Sequence, residues 1–139
     1  MNQQTILIVD DNPDDVELTL RVLQSHRIAN NIQVARDGVE AIEFLKGLAD
    51  HDLPSLVLLD LKMPRMDGLE TLDLIRKAPH TKHLPVVIMT TSREERDVAA
   101  SYALGANGYV QKPVEFEEFE HAVHYLGLYW LILNVAPRP

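Results

Sequence analysis

Two rhythms of apolar residues alternate along this chain. The first is a set of short runs bounded by polar or breaker residues: TILIVDD (Thr5–Asp11), IQVA (Ile32–Ala35), LVLLD (Leu56–Asp60), PVVIMT (Pro85–Thr90) and GYVQ (Gly108–Gln111). Short β-rich runs between turn signals read as strands, and an unbroken apolar run reads as a strand covered on both faces, as inside a parallel sheet. The second rhythm has helical spacing. Val16, Leu20 and Leu23 mark a helix reaching about His26. Ala41, Ile42, Leu45 and Leu48 mark a second, and Leu69, Leu72 and Ile75 a third. Arg93 to Leu104 is helix-compatible, with a thin face of Val98, Ala99, Ala103 and Leu104. A last helix is predicted from Glu115 to about Asn134.

The punctuation agrees with these elements. Asn12 is a good N-cap, Pro13 suits the first helical position, and the acids after it suit a helix N-terminus. Asp37-Gly38 turns the second strand into the second helix. Five strands alternating with five helices predict a parallel sheet with right-handed crossovers and helices on both faces. The length suits one domain, residues 1–139, with a core over 5–126 and a helical extension and tail over 127–139.

The last helix has two characters. Phe116, Phe119, Val123 and Leu126 are expected to face inward from its first half, and LYWLIL is apolar all round. A helix apolar on every side is covered on every side. The cover is either the protein's own surface, as a packing extension, or a partner; in the second case Tyr125, Leu128, Tyr129, Trp130 and Ile132 are candidate interface residues, most simply of a homodimer.

Composition narrows the class. The formal net charge of −8 argues against a nucleic-acid surface, which needs a basic patch. The absence of cysteine removes disulfides and thiol ligands. The N-terminus has no signal-peptide pattern, and no apolar run approaches the length of a membrane span. The expectation is a cytoplasmic protein without nucleic-acid or membrane partners.

The strand ends bring the chemistry. A parallel sheet places Asp10, Asp11, Asp60, Thr90 and Lys112 on one carboxyl edge, where open α/β sheets bind ligands. Three carboxylates in one pocket repel and raise one another's pKa unless a cation offsets them. An all-oxygen donor set suits Mg²⁺, or Mn²⁺, over zinc. A carboxylate, a hard divalent ion, an ammonium and a hydroxyl together make a phosphoryl-transfer site. Asp60 is then the nucleophile and forms an acyl phosphate. The His80/His83 and His121/His124 pairs have helical spacing, but no third ligand is evident near either.

The DD pair, the LLDLKMPRMDG segment, the IMTTS ending, the GANGY segment and the QKP ending, in that order, resemble the receiver domain of two-component response regulators. The likeness runs from Thr5 to about Tyr125. It implies a flavodoxin-like doubly wound sheet of order 2-1-3-4-5 with five helices and an extended C-terminal one. It also implies roles: Asp60 as phosphoacceptor; Asp11, Asp10 and the backbone carbonyl of Lys62 around the metal; Thr90 and Tyr109 as a switch pair; Lys112 as the family lysine; and a cis Lys112–Pro113 bond. The implied partners are a sensor histidine kinase and a downstream protein target or phosphotransfer protein. The C-terminus and the loops at 25–31 and 50–54 look most like the small regulators that partner cyanobacterial phytochrome-type kinases. A regulator of another histidine kinase, or a relay intermediate, is the alternative.

Two rival classes fit less well. An aspartyl phosphatase would place a second carboxylate two residues after the first, where Lys62 stands. A flavodoxin-like cofactor binder would need phosphate-holding amides after the first strand, where the sequence is Asp-Asp-Asn-Pro-Asp-Asp.

Overall fold

The computed structural model describes residues 5–25, 31–112 and 115–130, the side chains of residues 127 and 128 excepted. Its strands are β1 (Thr5–Val9), β2 (Asn31–Ala35), β3 (Leu56–Leu59), β4 (Val86–Thr90) and β5 (Gly108–Gln111). The helices are α1 (Pro13–Ser25), α2 (Gly38–Lys46), α3 (Gly68–Lys77), α4 (Glu95–Ala103) and α5 (Phe116–Leu128), with a single 3-10 turn at Asp50–Asp52. All strand pairs are parallel, in the order β2-β1-β3-β4-β5.

The strand sequences explain their places. β3 and β4, the most uniformly apolar, are buried at every residue, while the edge strands β2 and β5 keep partly exposed positions. Successive side chains of a strand point to opposite faces, so the sheet feeds two cores. Leu7, Val9, Val57, Leu59, Val86 and Ile88 meet Ala41, Leu45, Leu72 and Ile75 on one face. Ile6, Ile8, Leu56, Leu58, Val87 and Met89 meet Val22, Leu23, Phe119 and Val123 on the other. Each such large side chain contributes about 1.5–3 kcal/mol when fully buried.

The chain reverses its direction across the sheet at β1, which pairs with both β2 and β3. A crevice follows outside the carboxyl ends there. Main-chain bonds continue the pairing past the strand ends, from Asp60 N–H to the Val9 carbonyl (2.9 Å) and from Lys112 N–H to the Thr90 carbonyl (2.7 Å). The ends of β1, β3, β4 and β5 are thus held level at one edge.

Helix starts follow the capping residues. The Asn12 carboxamide oxygen accepts the amides of Asp14 (3.0 Å) and Asp15 (3.2 Å). α4 begins at Glu95, later than the sequence suggests, on a residue without a side-chain cap. Its buried residues are the polar Asp97 and Ser101, in keeping with the thin apolar face. In α5, Phe119 and Val123 are buried, but Phe116 is 50% exposed and does not face inward. It heads the helix, one turn ahead of the first α5 residue in the core. The predicted continuation to Asn134, with Ile132, lies outside the described residues, as do Pro113 and so the expected cis bond. No helix among the described residues is long and apolar enough to cross a membrane.

Asp37 does two jobs. Its Oδ1 accepts the Glu40 amide (2.9 Å) and caps α2, and both its oxygens accept from the Arg65 guanidinium. The Arg65 hydrogen bonds, then the Glu40 amide, hold its carboxyl below the ordinary range. A depressed carboxyl contributes stability that is present above its unfolded pKa and lost as pH falls through its folded value. Urea titrations of the wild type and Asp37→Asn should therefore differ most at neutral pH. The gap should close as pH drops from about 4 into the acid range; a gap that does not change with pH would rule out the charged cap.

Candidate functional site

At the crevice, three carboxylates converge. Asp10, Asp11 and Asp60 each offer an oxygen, all within 4.8 Å of one another. Asp10 and Asp60 are buried, whereas Asp11 is exposed. The Lys112 ammonium, only 6% exposed as a residue, reaches across the crevice. It donates to Asp10 Oδ2 (2.7 Å), Asp15 Oδ2 (2.8 Å) and Asp60 Oδ2 (3.4 Å).

Burial and charge oppose one another here. Burial raises the Asp10 carboxyl above its ordinary value, against the Lys112 hydrogen bond and the Asn12 amide; repulsion from Asp60 adds to the rise. Mutual repulsion, which the sequence points to, is therefore the smaller cause. Burial alone would pull Lys112 down. The bonds to Asp10 and Asp15 and the charge of Asp60 outweigh it, so Lys112 is held above its ordinary range and stays charged. One ammonium among four carboxylates leaves an excess of negative charge at the edge.

Asp60 is oriented by its own loop. Its Oδ1 accepts the Leu61 amide (2.7 Å) and the Lys62 amide at 3.5 Å. Its Oδ2 faces Lys112. Gly68 lets α3 begin directly behind it, since a Cβ there would collide with the Asp60 carbonyl oxygen. Asp67 Oδ1 caps α3 by accepting the Glu70 amide (2.9 Å).

Thr90, fully buried, ends β4, and its hydroxyl oxygen accepts the Ser92 amide at 3.5 Å. Tyr109 is half-buried on β5, and its hydroxyl donates to the Ser92 carbonyl (3.0 Å). Both residues thus meet the segment between β4 and α4. Ser92 Oγ in turn donates to Asp97 Oδ2 (2.6 Å), and Lys62 Nζ lies 3.9 Å from the same oxygen. The segment after Asp60 and the start of α4 share one buried carboxylate.

The sequence-derived set therefore assembles at one edge, with Lys62 contributing an amide to Asp60. Of the α5 surface candidates, Tyr125 is 65% and Tyr129 50% exposed. Trp130 is half-buried, ringed edge-on by Tyr129, and packs against the Phe119–Val123 core. The side chain of Leu128 and all of Ile132 lie outside the described residues.

Sequence reasoning missed Asp15, the third carboxylate on Lys112; it looked like one of several acids suited to a helix N-terminus. It also missed the Asp37–Arg65 pair, 28 residues apart, and the Ser92–Asp97 bond. All three are contacts between loops and helix termini.

The cluster fits a hard divalent cation: its donors are all oxygen, close together, and more negative than Lys112 can neutralise.

Residues 6–124 match the response regulator receiver domain family. The chain belongs to that family. The response regulator Rcp1 of Synechocystis sp. is 37% identical, over 96% of this chain and 93% of its own length. The crystal structure of the Mn²⁺-bound form of Rcp1 covers 96% of this chain and 99% of its own at 36% identity, with a TM-score of 0.87. The phosphorylated cyanobacterial phytochrome response regulator RcpA superposes with a TM-score of 0.90 at 32% identity, covering 97% of this chain and 99% of its own. The bacteriophytochrome response regulator AtBRR is 46% identical with a TM-score of 0.73, over 97% and 100% of the two chains.

Proposed function

We propose that the chain accepts a phosphoryl group from a histidine kinase onto Asp60 and uses it to switch a protein-binding surface. The observation that carries the reading is the Lys112 ammonium, held between Asp10 and Asp60 beside a three-carboxylate cluster. Asp60 Oδ attacks phosphorus, the P–N bond to the kinase histidine breaks, and an acyl phosphate forms. Asp10, Asp11, Asp60 and the Lys62 carbonyl would hold Mg²⁺ or Mn²⁺; such an ion offsets negative charge on the phosphoryl oxygens. Lys112, at 3.4 Å the longest of its three contacts from Asp60, trades that contact for a phosphoryl oxygen. The Thr90 hydroxyl donates to another, and Tyr109 follows through the Ser92 segment it already touches. This biases the face of α4, β5 and α5 between two states.

Because RcpA and AtBRR are a phytochrome and a bacteriophytochrome response regulator by name, and both align over nearly their whole length, the kinase partner is a phytochrome, in the cytoplasm. Signalling then passes by phosphate and contact, to a protein target or phosphotransfer protein, not by turnover of a substrate. The exposed Tyr125 on α5 and Tyr129 at its C-cap support a homodimer through that helix.

Incubation with Mg²⁺ and acetyl phosphate should add one phosphoryl mass, stable in acid and labile in base, to the wild type and none to Asp60→Asn. Full labelling of Asp60→Asn would defeat the assignment. Sedimentation of the wild type should give a dimer that Tyr125→Ala/Tyr129→Ala shifts toward monomer by about tenfold or more in dissociation constant; an unchanged weight-average mass would remove α5 from the interface.

A further inference from the structure

We propose that the Arg65–Asp37 ion pair is a positioning clamp for the segment between β3 and α3, and so sets how tightly the site holds its cation. The inference rests on the reading of Asp60 and the Lys62 carbonyl as cation donors.

Arg65 has φ 63°, the only positive value outside glycine among the described residues. The Met66 amide donates to the Pro64 carbonyl at 2.7 Å, closing a three-residue turn centred on Arg65. That turn is rare for a residue with a side chain, and such backbone persists only where its surroundings hold it.

The surroundings here are the segment between β2 and α2. Arg65 Nε donates to Asp37 Oδ2 at 2.7 Å and Nη2 to Oδ1 at 3.2 Å, a two-point pair of fixed geometry. Beside it the Gly38 amide donates to the Met66 carbonyl at 3.3 Å. Asp37 is itself fixed, being 4% exposed and bound to the start of α2. The clamp therefore joins a rigid helix terminus to the middle of the segment that follows Asp60.

That segment is anchored at its start by Leu61, buried in the core, and by Met63 packed against it; its exposed middle is held by the Arg65–Asp37 pair. Lys62 and Arg65 are exposed, and Met63 is half-buried. Its first two amides, from Leu61 and Lys62, are the donors that orient Asp60 Oδ1. Its far end returns through the Gly68 amide, which donates to the Leu61 carbonyl at 2.9 Å. A shift at Arg65 has a short covalent path to the carboxylate and to the Lys62 carbonyl. Arg65 touches neither, so its role is to position. Groups that orient ligands without touching the ion typically change metal affinity by about 10–100-fold.

Three substitutions separate the clamp from the unusual backbone. Arg65→Ala removes the clamp and keeps the turn's conformational cost. Arg65→Gly removes both. Arg65→Lys keeps the charge without the two-point geometry. The Arg65 side chain is 56% exposed, so each variant leaves both cores intact. Mg²⁺ binding is measured by calorimetry, and amide exchange at Leu61 and Lys62 by NMR in metal-free protein. Arg65→Ala and Arg65→Gly should each weaken Mg²⁺ about tenfold, with Arg65→Lys between them and the wild type. The two amides should exchange about tenfold faster in the first two variants even without metal. Wild-type affinity and exchange in Arg65→Ala would overturn the clamp, as would wild-type affinity in Arg65→Gly. A wild type that binds no Mg²⁺ would overturn the proposed function as well, whereas a wild type that binds it while Arg65→Ala matches it would overturn the clamp alone.

Discussion

A single ammonium sets the terms for the rest of the molecule. Lys112 lies within 3.4 Å of three carboxylates, one just after β1, one in the first turn of α1 and one just after β3, in a crevice where burial penalises every charge. Removing charges from water costs several kcal/mol for each ion unless close partners compensate. Lys112 compensates for part of the acidic excess, and the remainder calls for a second cation. The parallel topology makes this arrangement unavoidable. Strand ends held level at one edge must present whatever residues follow them to a common space.

The two halves of the site are held differently. The Asp60 half is rigid: β3 lies at the centre of the sheet, Gly68 brings α3 against the Asp60 backbone, and the Arg65–Asp37 pair ties the intervening segment to α2. The Thr90 half is looser. The helix behind it, α4, has no side-chain cap and buries only polar residues, so its packing contributes little to its stability. Its fixed points are the Ser92–Asp97 bond and the Tyr109–Ser92 bond. A rigid acceptor beside a weakly held element suits a switch, because elements that move in signalling come from the low-stability end of a fold.

Much of this was legible in the residues. Periodicity gave the helices, and length gave the strands: a run as short as LVLL, bounded by turn residues, suits a strand covered on both faces better than a helix. The carboxyl edge followed from alternation alone, and with it the meeting of Asp10, Asp11, Asp60, Thr90 and Lys112. What stayed hidden has a common cause. Asp15 on Lys112, Arg65 on Asp37 and Ser92 on Asp97 are contacts of loops and helix termini, where no periodic pattern fixes which way a side chain turns. Phe116 failed for a related reason: helical spacing assigns it a face, but not whether that part of the helix overlies the sheet. Burial, not repulsion, dominates at Asp10, a balance that depends on packing depth and cannot be read from spacing.

The central claim is that the acidic edge is short of positive charge and is completed by a divalent ion. Urea denaturation at increasing Mg²⁺, at constant ionic strength, tests it most directly. A site that binds Mg²⁺ only when folded should gain stability with the logarithm of its concentration, about 2.7 kcal/mol at a hundred times the dissociation constant. Asp11→Asn should flatten that rise. A wild-type stability that does not respond to Mg²⁺ would contradict the account.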